Sequence, residues 1–336
     1  MTSFRPVDVT TDLPAIARIM SLARSEPVSV EWVREMWQGT EDASHFTRVA
    51  LADPGPTLAG LRESSAEPSG EPIVGMADVE RGIWMQPGHF RLRLVVDPAW
   101  RNQGIGTQLL AEGINFAQTQ GASRLESFVR DNAPESLRFA EGRGFRIYRH
   151  SFLSTLELTS FDERAFVHTL ERAKAAGFVF FSLAELEPVT EAAQRRLYEV
   201  NRITGLDNPG NEGHFPSFEE FRQSVFEASW FRAEGQILAA DGERWVGLAA
   251  VSYDPDAKLA HNAFTGVLRE YRGRGLATAL KLLAIRYAQQ LGARAIRTGN
   301  DSRNAPMLAI NRKLGYRPEP GWLHLARDLE EKAVQI

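Results

Sequence analysis

Residues 101–110 read RNQGIGTQLL, and residues 272–281 read RGRGLATALK. An arginine, small residues at fixed steps, a threonine and then an apolar run occur twice. Arg101 and Arg272 stand 171 residues apart in a chain of 336. A motif repeated at half the chain length predicts one kind of domain built twice. Either half is close to the ~150 residues of an ordinary domain and long enough to bury its own core. We place the boundary near residues 160–175, with a first domain at 1–160 and a second at 161–336.

Hydrophobic periodicity supports the doubling. In the first half a strand is predicted at 4–9. A helix then starts behind Asp12, with Leu13, Ile16, Ile19, Met20 and Ala23 at helical spacing. A second helix follows at 30–37, strands at 46–51, 73–79 and 90–96, and a helix from the quoted motif to about residue 120. A strand at 125–129, a helix at 134–141 and strands near 145–148 and 152–158 complete the unit. The turn-rich segment 54–72 reads as a hairpin loop inside this unit. The second half repeats the order: a connecting helix at 161–176, a strand at 178–183, helices at 189–203 and 218–226, and strands at 236–240, 244–252 and 259–267. A long helix at 275–291, a strand at 295–298, a helix at 305–313 and strands near 316 and 323–326 close it. The fold class is α/β, with a mixed sheet flanked by helices in each of two tandem domains.

Composition removes several function classes. The 39 Lys+Arg against 43 Asp+Glu give a formal charge of −4, which is not the footprint of a nucleic-acid binder. No apolar run reaches the ~20 residues of a membrane helix, and the N-terminus shows no secretory pattern; a cytoplasmic protein is expected. The absence of cysteine excludes disulfides, thiolate metal sites and an acyl-cysteine intermediate. The histidines show no HxxxH or HExxH spacing, so no metal is expected.

The repeated motif has a physical reading. A strand ends, the chain turns, and a helix begins whose first N–H groups are unpaired and whose dipole is positive at that end. Gly104 and Gly106 leave the backbone open, Arg101 supplies charge and Thr107 a hydroxyl. Arg272, Gly275, Ala277 and Thr278 repeat the set, with Arg274 as extra charge. This is a phosphate or pyrophosphate cradle. It is not a P-loop, which needs GxxxxGK[ST]. It is not a dinucleotide fingerprint either, because the third glycine is absent and the motif follows several strands; Glu126 lies at the distance of the ribose acid, but the second copy has no acid there.

The R-x-x-G-x-[GA]-T loop, after a strand ending four residues before [WY]-R, resembles the acetyl-CoA signature of the GNAT superfamily of N-acetyltransferases. GNDSRNAPMLAINRKLGYRP in the second half is similar to that family's N…LG[FY] region, and FVRDNAPESLRFAEGRGFR is its counterpart in the first. About 60–70 residues match well and the rest by order of elements, in the tandem arrangement of the mycothiol-synthase type. The resemblance implies acetyl-CoA as co-substrate. Arg101, Gln103, Gly104, Ile105, Gly106 and Thr107, and Arg272, Gly273, Arg274, Gly275, Leu276, Ala277 and Thr278, would hold the pyrophosphate. Val96 and Val267 would offer backbone groups to the pantetheine arm, with Asn132 and Asn304 beside it. Both asparagines precede Ala-Pro, so a helix cap is also expected of each.

The implied reaction is direct transfer to an amine, which must first lose a proton because an alkylamine pKa lies near ~10. His261, on the strand before the second loop, is the candidate base; an exposed strand histidine is the plainer reading of it. Asp207, Glu212 and His214 are alternatives near the expected acceptor mouth, and a water relay is another. In the first half Arg91 and Arg93 occupy the corresponding strand, leaving His89. Many members of the family carry a general-acid tyrosine five residues before the final aromatic; here those positions are Asn311 and Ala140. The second half is expected to be catalytic. The first, whose region after the motif departs further, is expected to bind CoA or shape the acceptor site. A small-molecule amine is the expected acceptor. A non-catalytic CoA-binding module and an enzyme acting on proteins are the other readings.

Overall fold

A computed structural model describes residues 2–24, 27–37, 45–52, 72–209, 211 and 213–329. The expected hairpin loop at 54–72 lies, apart from its last residue, outside the described residues, as does Glu212. The first half forms β1 (Thr2–Pro6), α1 (Leu13–Arg24), α2 (Val30–Trp37), β2 (Phe46–Ala52), β3 (Ile73–Glu80), β4 (His89–Val96), α3 (Ile105–Thr119), β5 (Arg124–Arg130) and α4 (Pro134–Glu141). After these come β6 (Arg146–Glu157), α5 (Arg164–Ala175), β7 (Phe178–Ser182), α6 (Glu191–Leu206), α7 (Phe218–Phe221), β8 (Gln236–Asp241), β9 (Arg244–Asp254) and β10 (Leu259–Val267). The chain ends with α8 (Leu276–Gln290), β11 (Ala295–Asp301), α9 (Ala305–Leu314), β12 (Arg317–Pro318) and β13 (Trp322–Asp328).

These elements pack as two compact units: residues 1–148 with 324–336, and residues 149–323. A single cut at 160 therefore does not describe the packing. Most of β6 belongs to the second unit, and the last strand returns to the first, where Leu325 and Leu329 sit in the core with Leu109 and Leu125. The strand itself also differs from its expectation. β6 is one strand from Arg146 to Glu157, where two were predicted around the polar run Arg149-His150-Ser151. A strand with one wet face needs no apolar residue at every step.

In the first unit the order is β1-β2-β3-β4-β5-β13. The pairs from β1 to β4 are antiparallel and β4–β5 is parallel. α3 covers one face through Ile105, Leu109 and Leu110 against Val79, Leu92 and Leu125. α1 and α2 cover the other through Ile16, Ile19 and Val33 against Val49 and Met76. β3 is buried along its whole length, as a central strand between two helical layers must be. Full burial of each such aliphatic side chain is worth about 1.5–3 kcal/mol.

The second unit repeats the plan as β6-β11-β10-β9-β8-β7. α5 and α8 pack on one face, with Leu170, Leu280 and Ile285 against Val246 and Ile296. α6 and α7 pack on the other, with Leu197 and Phe221 against Leu238 and Leu248. A turn of π-helix (Arg222–Phe226) extends α7. β10 pairs with β11 in parallel and with β9 antiparallel, and its register with β9 shifts between Asn262 and Phe264. β4 of the first unit has no such shift against β3.

Candidate functional site

Each glycine loop joins a strand to a helix through the same backbone. Arg101 and Arg272 are extended, with ψ 163° in both. The next residue is left-handed, Asn102 at φ 63° and Gly273 at φ 77°. Two residues later Gly104 (φ 84°) and Gly275 (φ 83°) are left-handed again, each as the N-cap of its helix. Two left-handed residues two positions apart turn successive N–H groups inward, and the helix start behind them adds unpaired donors. Asparagine is among the few residues that accept this conformation, so 102 can hold Asn where 273 holds Gly.

The other loop positions divide by burial. Ile105 and Leu276 are buried in their cores, so only their backbone faces the loop. Gln103 and Arg274 are exposed; the Arg274 guanidinium lies 5.2 Å from the Tyr271 ring. Gly106 corrects the reading that it is open for a ligand: a Cβ there would meet Phe139 at 3.2 Å. The equivalent Ala277 carries a methyl, and the residue at the place of Phe139 in the second unit is Ile310, a slimmer side chain than phenylalanine. Arg143 caps the first loop from the side, donating to the Thr107 hydroxyl at 2.6 Å while its guanidinium lies 3.6 Å from the Phe139 ring centre.

The strands before the loops separate from their parallel neighbours. β4 pairs with β5 only from His89 to Arg91, and β10 pairs with β11 only from Leu259 to Asn262. Beyond these points the strand ends are held on one side alone. Asp97 N–H donates to Val74 and Leu268 N–H to Val246. By antiparallel alternation, the preceding Val96 and Val267 turn their N–H and C=O away from that partner. Both carbonyls are then taken by the loop arginine, Arg101 Nε to Val96 O at 3.3 Å and Arg272 Nε to Val267 O at 3.0 Å. Thus each unit brings together a strand end with free-facing backbone, an arginine and a helix N-terminus.

Among the candidate bases, His261 is half-buried on β10, with Arg297 and Ser252 as its cross-strand neighbours. Asp207 is unsuited to take a proton. It accepts from Arg269 and Arg272 at 2.6 Å each, and these partners, Arg269 foremost, hold its carboxyl below the usual range against the opposing effect of burial. In the first unit the position of His261 is occupied by Arg91, which pairs with Glu80, while His89 Nδ1 lies 2.9 Å from Glu126. Arg93 binds buried Asp78, which His45 also contacts. Burial pushes the Asp78 carboxyl up, but His45 and Arg93 outweigh it and hold it down.

The asparagines part company. Asn304 is the N-cap of α9, its side chain accepting from Met307 N–H at 3.4 Å. Asn132 is exposed and caps nothing, because Ala133 is the N-cap of α4. Relative to the motif, Asn132 falls one residue early, so the shared Asn-Ala-Pro does not mean a shared geometry. Among the described residues no three metal-ligating side chains cluster, and no helix is long and apolar enough to cross a membrane.

A polar cluster that sequence reasoning missed lies under β10. Lys281, Asn262, Thr298, Asn300 and Asn311 are all buried. Asn311 Nδ2 donates to Asn300 Oδ1 at 2.7 Å, while Asn311 Oδ1 and Tyr316 Oη have no partner. Lys281 was legible: it falls on the apolar stripe of α8 with Ala284, Ile285 and Ala288, where a charged residue is out of place. Asp301 closes β11 with its carboxylate 2.9 Å from both Arg149 and Arg303.

Comparison with known proteins bears on the family and the fold. The model of the acetyltransferase (GNAT) family matches the chain twice, at residues 14–145 and 197–316. A mycothiol acetyltransferase of Pseudarthrobacter chlorophenolicus is 34% identical over 230 residues, 67% of this chain and 66% of that protein. That of Renibacterium salmoninarum is 27% identical over 237 residues, 69% of this chain and 65% of that one. These alignments span just under two thirds of the relatives' own length. In fold, a GCN5-related N-acetyltransferase from Sphaerobacter thermophilus aligns over 97% of this chain and 95% of its own, with TM-score 0.71 and 21% identity. A tandem GNAT protein from the clavulanic acid biosynthesis pathway aligns over 99% of this chain and all of its own, with TM-score 0.67 and 20% identity. The chain belongs to the acetyltransferase (GNAT) family, whose model it matches in each of its two halves.

Proposed function

We propose that this chain transfers the acetyl group of acetyl-CoA to the amine of a small molecule, and that the transfer takes place in the second unit. The observation that carries the reading is the meeting, at one point, of the Val267 strand end, Arg272 and the start of α8. The residues fit the co-substrate. The left-handed pair at 273 and 275 and the first N–H groups of α8 suit a pyrophosphate, and Arg272 and Arg274 add charge. The Val267 N–H faces the gap where a thioester carbonyl would lie, and a fixed N–H donor there stabilises the charge that builds on that oxygen. The amine nitrogen forms its bond to the acetyl carbon as the carbon–sulfur bond breaks. The amine gives up one proton, and the CoA sulfur leaves with one. His261 would accept the amine proton, directly or through water. The relatives' name, mycothiol acetyltransferase, supports a small acceptor.

For the first unit we propose CoA binding without chemistry. Its loop has the same backbone, but Arg91 stands at the place of His261 and Ala140 at that of Asn311, so the two positions that carry an imidazole and an amide in the second unit carry a guanidinium and a methyl in the first. The test is an amine screen with acetyl-CoA, reading released thiol, beside a melting curve. A ligand held 100-fold above its Kd adds about 2.7 kcal/mol of stability, so Tm should rise. An unchanged Tm at saturating acetyl-CoA would overturn the reading. A raised Tm with no turnover of any amine would leave a CoA-binding module instead.

A further inference from the structure

Lys281 is fully buried in the middle of α8, and no carboxylate is bonded to it. Its Nζ donates to Asn262 Oδ1 at 2.7 Å and lies 5.1 Å from the centre of the Tyr316 ring. Burial pulls its pKa down to about 7. A buried amine with a single neutral acceptor is a cost to the fold, and an aliphatic chain in its place would remove that cost. The expense therefore calls for a reason.

That reason lies in what Asn262 does. Its Nδ2 donates to Ala250 O at 3.1 Å and Phe264 O at 2.8 Å, and its Oδ1 accepts from Thr265 Oγ1 at 3.0 Å as well as from Lys281. Its own carbonyl accepts from Thr298 Oγ1 at 3.1 Å. These bonds surround the register shift in β10 and the point where β10 leaves β11. A one-residue bulge bends a strand and re-aims the residues beyond it.

The first unit supplies the control. Ser127 Oγ donates to Leu92 O at 3.0 Å, the same bond that Thr298 makes to Asn262, so Leu92 is the counterpart of Asn262. From Leu92 to Val96 the strand advances four residues; from Asn262 to Val267 it advances five. The extra residue is the bulge. Leu110 holds the place of Lys281, one turn into the equivalent helix, and is buried. Where the chain has a leucine pair there is no bulge; where it has the lysine–asparagine pair there is one.

Resting on the proposed reaction in the second unit, we infer that Lys281 is a positioning residue: through Asn262 it fixes the bulge of β10 and so aims the Thr265–Val267 backbone at the reacting carbonyl. Lys281 touches neither substrate; it acts only through the strand.

The test compares Lys281→Leu, which installs the first unit's residue, with Lys281→Gln, which keeps a neutral donor for Asn262 Oδ1. Lys281→Leu should keep or raise Tm and leave the calorimetric Kd and the KM for acetyl-CoA unchanged. It should lower kcat by about 10²-fold, the scale of a small misplacement of reacting groups. It should also speed amide exchange at residues 263–267. Lys281→Gln should recover most of kcat and of the exchange protection. A kcat within about twofold of wild type in Lys281→Leu, or a loss of Tm and kcat together that Lys281→Gln does not relieve, would overturn the inference. If the wild-type protein turns over no amine, the proposed reaction fails on its own, and exchange decides: unchanged protection at 263–267 in Lys281→Leu overturns the positioning role too.

Discussion

The two units use one loop and two different floors. Val96 with Arg101 and Val267 with Arg272 make the same contact, and the left-handed residues behind them match within a few degrees at Gly104 and Gly275. Beneath the strand ends the chemistry diverges. The second unit has Lys281, Asn262, Asn311 and Tyr316, and the first has Leu110, Leu92, Ala140 and Phe145 at those places. At these four places the first unit is apolar, and its buried charges, Asp78 with Arg93 and His45, are paired with one another. The floor of the second contains two buried polar atoms without partners and a lysine held by one amide. Buried polar groups cost free energy that an apolar core does not. Where two copies of one fold differ in this way, the costly copy is the one with a demand beyond folding. On the proposed reading, binding rests on the loop and chemistry on the floor.

The comparison breaks most sharply at Gly275. A side chain there must adopt φ 83° and would meet Thr169 at 3.1 Å, and a carboxylate would face the anion expected at the helix start. Gly275→Glu should abolish turnover while far-UV circular dichroism stays that of the wild type. Residual turnover above about one per cent would separate the reaction from this loop.

His261→Ala comes next. Loss of a general base costs about 10²–10⁴ in rate, and the acid limb of the kcat–pH profile should disappear with it. A kcat within threefold of wild type would return His261 to an ordinary half-buried strand residue and leave water or His214 as the proton acceptor.

A smaller effect sharpens the contrast at the end of β11. Asp301 stands where the first unit has Arg130. Burial pushes its carboxyl up, but the Arg303 hydrogen bonds and the charge of Arg149 prevail and hold it at about 2 against an ordinary 3.8. A depressed carboxyl stabilises the fold above its unfolded pKa and stops doing so as pH falls through the folded one. The contribution is about 2 kcal/mol at neutral pH, fading between about pH 4 and pH 2. Asp301→Asn should therefore lower unfolding stability by that amount at pH 7 and by almost nothing at pH 2. A difference that does not change with pH would mean that shape and not charge is what Asp301 supplies.

Most elements and both loops were legible because they rest on local signals: the periodicity of α1, α3 and α8, and small residues at fixed steps in the repeated motif. What escaped was non-local. Nothing in the run from Phe145 to Leu158 tells that one strand crosses it and packs with the second unit, since strand partners are chosen by tertiary contacts. The role of Gly106 depends on a ring 33 residues away at Phe139. Asn132 misled because a three-residue match hid a one-residue offset. Asp207 looked like a free acid until Arg269 and Arg272 closed on it. Lys281 was the missed local signal: a lysine on an apolar stripe is a violation of pattern, and no motif contains it as a functional position.

The central claim is that the second unit reacts and the first does not. The most direct test is the turnover of Gly104→Glu. A Cβ at Gly104 meets nothing within 4 Å, so the substitution blocks the first unit's helix start without a clash and carries only the strain of a side chain at φ 84°, which Gly275→Glu shares. The account predicts kcat and KM within about twofold of wild type, with one CoA site lost by calorimetry. A Gly104→Glu protein without turnover, its fold intact, would contradict it.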